Sequence, residues 1–233
     1  MLEPEIENAT LEAIYWWNRD EFYYHKYFSQ LDKIYKDKLL LDFFTKKIFQ
    51  VFLREYSVRR NLSPGLNSVF FLLDELFENN FFEHVVKANT DIIDELSSKL
   101  KVNCKSTSRH TKSLLSKIAF LINPNDFSLY DNLSKDALKL INKNTHFRNS
   151  ALESYSGFLK QTNFLRITIY DNGLFLQSIN ILNEFKETEA FKFFTTNNQA
   201  FEMRIVDKFL WLLTQSSNNN IFQNNEYRKL IKL

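Results

Sequence analysis

SLLSKIAFLINPNDFSLYDNLSKDAL, residues 113–138, is the stretch that sets the fold class. Its apolar run keeps helical spacing up to Ile122 and stops at Asn123-Pro-Asn125, because proline cannot continue a helix. Asp131 then stands before Asn-Leu-Ser-Lys, where an N-cap carboxylate would accept an amide N–H two or three residues on. The stretch therefore predicts one helix over 108–122, a turn, and a second helix over 132–142.

The same reading extends in both directions. Residues 5–36 place Ile14, Trp17, Tyr24, Phe28, Leu31 and Ile34 at helical spacing. Residues 38–57 carry a stripe of Leu41, Phe44, Ile48, Val51, Phe52 and Tyr56. Asn61-Leu-Ser-Pro-Gly65 breaks the pattern, with Ser63 as cap and Pro64 as first residue of a helix over 64–78. A further helix is expected over 81–101. After 142, helices are expected over 149–170, 174–186, 188–195 and 199–214, with Asp171-Asn-Gly173 as a turn and Asn218–Asn220 as a loop. RITIY at 166–170 alternates like a strand, but it is short and isolated and is read as helix.

Composition agrees. The 233 residues include 24 Phe, 10 Tyr and 3 Trp but only 3 Gly and 3 Pro, too few for a chain of many strands and tight turns. The expected fold is all-α, a single helical domain over 1–233 in one or two lobes. The chain is long enough to bury a substantial core. The Trp16-Trp17 pair and the Phe-rich stripes read as core before they read as a pocket.

The net charge of +2 implies no partner by itself. A lone cysteine, Cys104, excludes an internal disulfide framework and a Cys-rich zinc site. His25, His84, His110 and His146 make no metal-ligand spacing, and the isolated glycines form no phosphate loop. No metal and no cofactor are expected. The acidic N-terminus is not a signal peptide, and no stretch of about 20 residues is free of charge. A cytoplasmic location, no membrane partner and a monomer are the expectations.

One stretch stands out. Between Glu95 and Asp126 there is no acidic residue, while Lys99, Lys101, Lys105, Arg109, Lys112 and Lys117 are interspersed with Asn103, Ser106, Thr107, Ser108 and His110. Cations beside hydroxyls suit phosphate, and a helix starting near Ser108 would add its N-terminal dipole. Lys105, Ser108, Arg109 and His110 are the candidate DNA-contacting residues. A solvated helix face is the alternative.

The 113–138 string also resembles a pattern from a branch of the helix-hairpin-helix DNA glycosylases, those with the 8-oxoguanine-glycosylase-like fold. That pattern is a small-Ser-Lys helix, an aromatic turn, Asn-Pro, an aromatic, then Tyr-Asp opening another helix. Ser116, Lys117, Phe120, Asn123, Pro124, Phe127, Tyr130 and Asp131 carry it here. RIVDKFLWLL, residues 204–213, is similar to the Asp-Lys-aromatic-Leu-Trp helix that closes such proteins. The resemblance is clearest over 105–215 and leaves the N-terminal segment unmatched.

The resemblance implies excision of a modified base from double-stranded DNA, in a setting such as defence against modified foreign or phage DNA. It makes Asp131 the essential carboxylate, stabilising positive charge on the sugar or activating water. Tyr130 and Trp211 become candidate walls of the pocket for the flipped base, within a pool of aromatics that includes Trp16, Trp17 and Tyr23. Lys112 and Lys117, upstream of Asp131, are candidates for catalysis or phosphate contact, with plain solvation as the alternative. Asp131 as a simple N-cap stays open beside its catalytic role. The family's hairpin usually reads Leu-Pro-Gly-x-Gly, yet residues 103–111 contain neither glycine nor proline. Monofunctional excision without lyase chemistry is therefore expected, with a non-catalytic binding module for nucleic acid or protein as the alternative.

Overall fold

The computed structural model describes residues 3–103, 110–143, 147–184 and 198–217. Its regular elements are all helical, and no strand occurs among the described residues. Twelve α-helices cover most of them: α1 Glu3–Lys26, α2 Leu31–Lys36, α3 Lys38–Phe43, α4 Gln50–Glu55, α5 Asn67–Glu78 and α6 Phe81–Val86, then α7 Ile92–Asn103, α8 Lys112–Ile122, α9 Asn132–Asn142, α10 Tyr155–Asp171, α11 Phe175–Glu184 and α12 Asn198–Ser217. RITIY lies inside α10. No helix among the described residues is long and apolar enough to cross a membrane. The helix expected over 188–195 and the Asn218–Asn220 loop lie outside the described residues.

Several boundaries move, each for a local reason. The 81–101 segment is two helices, because Ala88 takes a left-handed backbone (φ 58°) and ends α6. The helix after the Ser63-Pro64 break begins at Asn67, since Gly65 is itself left-handed at φ 94°. Ser63 does not cap it; its carbonyl accepts the Ser68 hydroxyl at 2.7 Å. The 149–170 segment opens with a 3₁₀ turn, Asn149–Glu153, and α10 starts only after Ser154, whose hydroxyl accepts Gly157 N–H at 3.1 Å. A Cβ at Gly157 would sit 2.1 Å from the Ala151 carbonyl oxygen, so that close approach requires glycine.

The stripe expected over 38–57 is also redistributed. Between α3 and α4 the chain stays helical through Phe44–Phe49 but with the wider π spacing. The extra residue shifts the buried face. Beyond Phe44 the core positions are Phe49, Phe52, Leu53 and Tyr56, while Leu41, Ile48 and Val51 are half-buried. α3 itself buries nothing.

Contacts divide the chain into two compact units: Met1–Arg19 with Tyr130–Leu233, and Asp20–Leu129. The unit of residues 20–129 has an aromatic centre. Phe52 stacks on Phe49 at 5.3 Å and meets Phe28 edge-on at 5.3 Å, and Tyr23 packs 5.4 Å from Phe52. Each such pair adds about 0.5–1.5 kcal/mol beyond its buried area. The polar ends of these rings are satisfied: Tyr23 donates to Glu55 at 2.5 Å, and Tyr56 donates to the buried Asp20 carboxylate. In the other unit α12 packs chiefly on α9 and α10. The Thr10 and Ser178 hydroxyls join α1 to α11 at 2.8 Å, and Trp17 meets Phe201 edge-on at 5.7 Å. Trp17 and Tyr23 are thus core residues.

Candidate nucleic-acid interface

Asp131 has an extended backbone (φ −146°, ψ 172°) and immediately precedes α9. Its Oδ1 accepts the Ser134 N–H at 2.7 Å, so the capping role read from the sequence is real. The carboxylate is half-buried, and its second oxygen has no hydrogen-bond partner among the described residues. The buried Ser134 hydroxyl also lacks a protein partner among them. The cap holds one oxygen in place and leaves the other to act as a fixed acceptor.

Tyr130 is 7% exposed. Its hydroxyl donates to the Leu152 carbonyl at 3.3 Å, and its ring packs on Phe158 at 5.0 Å and Tyr155 at 6.2 Å. This ring is core, and its packing must open before it could stack on a base. A cation missing from the sequence reading sits over it: Lys135 Nζ lies 5.4 Å from the Tyr130 centroid and 3.2 Å from Glu153. Burial alone would lower the Lys135 pKa, but hydrogen bonding and charge from Tyr130 and Glu153 outweigh it and raise the pKa. The spacing from Asp131 to Lys135 is one helical turn and was readable; Glu153 comes from beyond α9 and was not.

Trp211, half-buried on α12, belongs to a second cluster in the same unit. Lys208 Nζ lies 4.4 Å from the Trp16 ring and 5.7 Å from the Trp211 ring. Arg204 and Arg19 also lie over Trp16, at 5.4 and 4.8 Å. Arg204 is 2% exposed and pairs with Asp207 at 2.9 Å. Guanidinium and ammonium groups lie over these rings because indole faces are electron-rich. The 204–213 motif therefore buries its cations Arg204 and Lys208 against the indoles of α1 and α12, with Asp207 paired to Arg204, an arrangement that charge spacing alone did not signal.

The basic window belongs to the other unit. α8 begins at Lys112, preceded by Thr111, whose N–H donates to Ser97 Oγ at 2.8 Å. The helix start expected near Ser108 is thus later, and Lys105, Ser108, Arg109 and Cys104 lie outside the described residues, as does His146. Lys112 pairs with Asp94 at 2.5 Å. Lys117 donates to the Tyr56 carbonyl at 2.9 Å, serving the chain end of α4. Both lysines are therefore engaged within the protein. His110 is exposed and meets Lys101 Nζ at 3.1 Å. Desolvation, then the charges of Lys101 and Lys112, hold its pKa below the ordinary value, against a weaker pull from Asp94. Its ring nitrogen accepts from Lys101, and the lowered pKa disfavours a cationic ring here.

No cluster of three or more His, Cys, Asp or Glu that could hold a metal occurs among the described residues. Asp131, Tyr130 and Trp211 lie in one unit, and His110, Lys112 and Lys117 lie in the other. Compared with models of protein families, with curated proteins and with solved structures, the chain finds no match.

Proposed function

We propose that the protein is a DNA glycosylase-like enzyme that extrudes a modified base and hydrolyses its N-glycosidic bond, with Asp131 as the essential carboxylate. The observation that carries this is the state of Asp131: one oxygen anchored on the α9 N-terminus, the other without a protein partner among the described residues. An anion fixed in this way stabilises the oxocarbenium-like sugar as the base departs, or takes a proton from the attacking water. Water supplies the hydroxyl that ends on the sugar carbon and the proton that ends on the base. The segment carrying Asp131 is also the one that resembles the glycosylases, a resemblance that makes the half-buried Trp211 the candidate wall for an extruded base.

The decisive assay incubates wild type and Asp131→Asn with duplexes carrying oxidised, alkylated, deaminated, hydroxymethylated or glucosylated bases, then reveals abasic sites with alkali. Cleavage with wild type alone is the expected result. Full activity in Asp131→Asn would remove the assignment.

A non-catalytic nucleic-acid-binding module is the second reading. It is favoured by the engagement of Lys112 and Lys117 within the protein and by the absence of glycine in residues 103–111. Salt-dependent DNA binding without abasic product distinguishes it.

A further inference from the structure

The unit of residues 20–129 carries a second surface that owes nothing to Asp131. α3 has no buried residue, although it reads Lys-Leu-Leu-Leu-Asp-Phe. Leu39 is 83% exposed, Phe43 55% and Leu40 47%. Burial starts only at Phe44, where the wide π turn rotates the following residues into the aromatic core. The α3 turn therefore projects two leucines and a phenylalanine into solvent. Their backbone is fixed, because Asp37 accepts the Leu39 and Leu40 N–H groups at 2.9 and 3.1 Å.

The surroundings are cationic. Lys33 and Lys36 on α2, which packs against α3, are exposed, as are Lys38, Lys46 and Lys47. Lys46 is paired with Asp42 at 2.7 Å; Lys33, Lys36, Lys38 and Lys47 form no ion pair with a described residue. Of the nearby acids, Asp37 is used by the helix end, Asp42 by Lys46, Asp74 accepts the Tyr35 hydroxyl at 3.3 Å with Glu78 also close to Tyr35, and Asp32 is exposed. Apolar tips bracketed by long cationic side chains match an anionic lipid surface. The tips enter the acyl boundary while the lysine stems stretch back to headgroup phosphates. All five cations are lysines, which suits a diffuse layer of charge better than the fork-like recognition that arginine gives.

We infer that α3 and its flanking lysines form a peripheral docking face for anionic membranes. The expectation of no membrane partner rested on the absence of a charge-free span, which bears on crossing a bilayer and not on resting against one. This inference stands apart from the glycosylase proposal.

The test is co-sedimentation of the full chain with vesicles of phosphatidylcholine alone and of equal parts phosphatidylcholine and phosphatidylglycerol, at low and high salt. Wild type should sediment with the anionic vesicles, less so in salt. The combined Leu39→Ser, Leu40→Ser, Phe43→Ser variant should lose binding by roughly tenfold or more with an unchanged thermal melt, because the exposed residues support no core. Should that variant misfold, Lys36→Gln, Lys38→Gln and Lys47→Gln together decide the matter by abolishing the preference for anionic vesicles. Wild type left in the supernatant at low salt overturns the inference and points to an acidic protein partner for the same face. A folded serine variant that sediments like wild type overturns it too.

Discussion

Asp131 Oδ1 accepts the Ser134 N–H at 2.7 Å, so one residue both starts α9 and presents a carboxylate. The two duties separate by substitution. Asparagine keeps an oxygen for the cap, whereas alanine does not. Asp131→Ala should lower stability by about 1 kcal/mol, and Asp131→Asn should leave it nearly unchanged. Denaturant midpoints check this. Base excision should be lost in both, so a stable, inactive Asp131→Asn marks chemistry and not folding.

Lys117 should behave as a structural residue. Its ammonium reaches the Tyr56 carbonyl across a wide sequence separation, so Lys117→Met keeps the stem and removes the bond. The expected loss is about 1–2 kcal/mol by chemical denaturation. Retention of any glycosylase activity in this variant would agree with its structural position and with hydrolysis that needs no Schiff base.

Gly157 admits no side chain. Gly157→Ala drives a methyl into the Ala151 carbonyl and must displace either the 3₁₀ turn or the first turn of α10. A destabilisation of roughly 1–3 kcal/mol is expected, although alanine is the better helix former. A thermal melt at or above that of wild type would contradict the geometry.

His110 contributes a pH dependence of defined sign. Desolvation and the charges of Lys101 and Lys112 hold its pKa below 6.5 in the folded chain, against Asp94, so the unfolded chain binds the extra proton first. Its contribution is therefore present above 6.5 and is lost as the pH falls through the folded value. Proton NMR should find His110 titrating below the ordinary histidine range, and Lys101→Met should bring it back toward that range.

Some of this was legible in the residues alone. Asn123-Pro124 and Asp131 act through strictly local rules, steric exclusion at proline and a side-chain cap, and α8 and α9 end and begin where those rules require. The π turn at Phe44–Phe49 was not legible. It sits where Phe49 and Phe52 stack and Phe28 meets Phe52, contacts that no local sequence signal marks. Ser57, Asn80 and Ala88 end helices in a left-handed conformation without being glycine, so the usual signal was missing. The cap was legible at Asp131, but the burial of Tyr130 was not, because it depends on Leu152, Tyr155 and Phe158. Spacing likewise cannot reveal that Lys112 and Lys117 find Asp94 and Tyr56, because those partners come from distant turns of chain.

The division of the chain also dictates an order of birth. Residues 20–129 are contiguous, whereas the other unit joins the first 19 residues to those after 129. During synthesis the contiguous unit is made before α9 to α12, so it can collapse around its phenylalanines ahead of the other unit. Trp17 must wait for its partner Phe201 until α12 leaves the ribosome. The stretch of α1 before Asp20 therefore belongs to a unit that only the last part of synthesis completes.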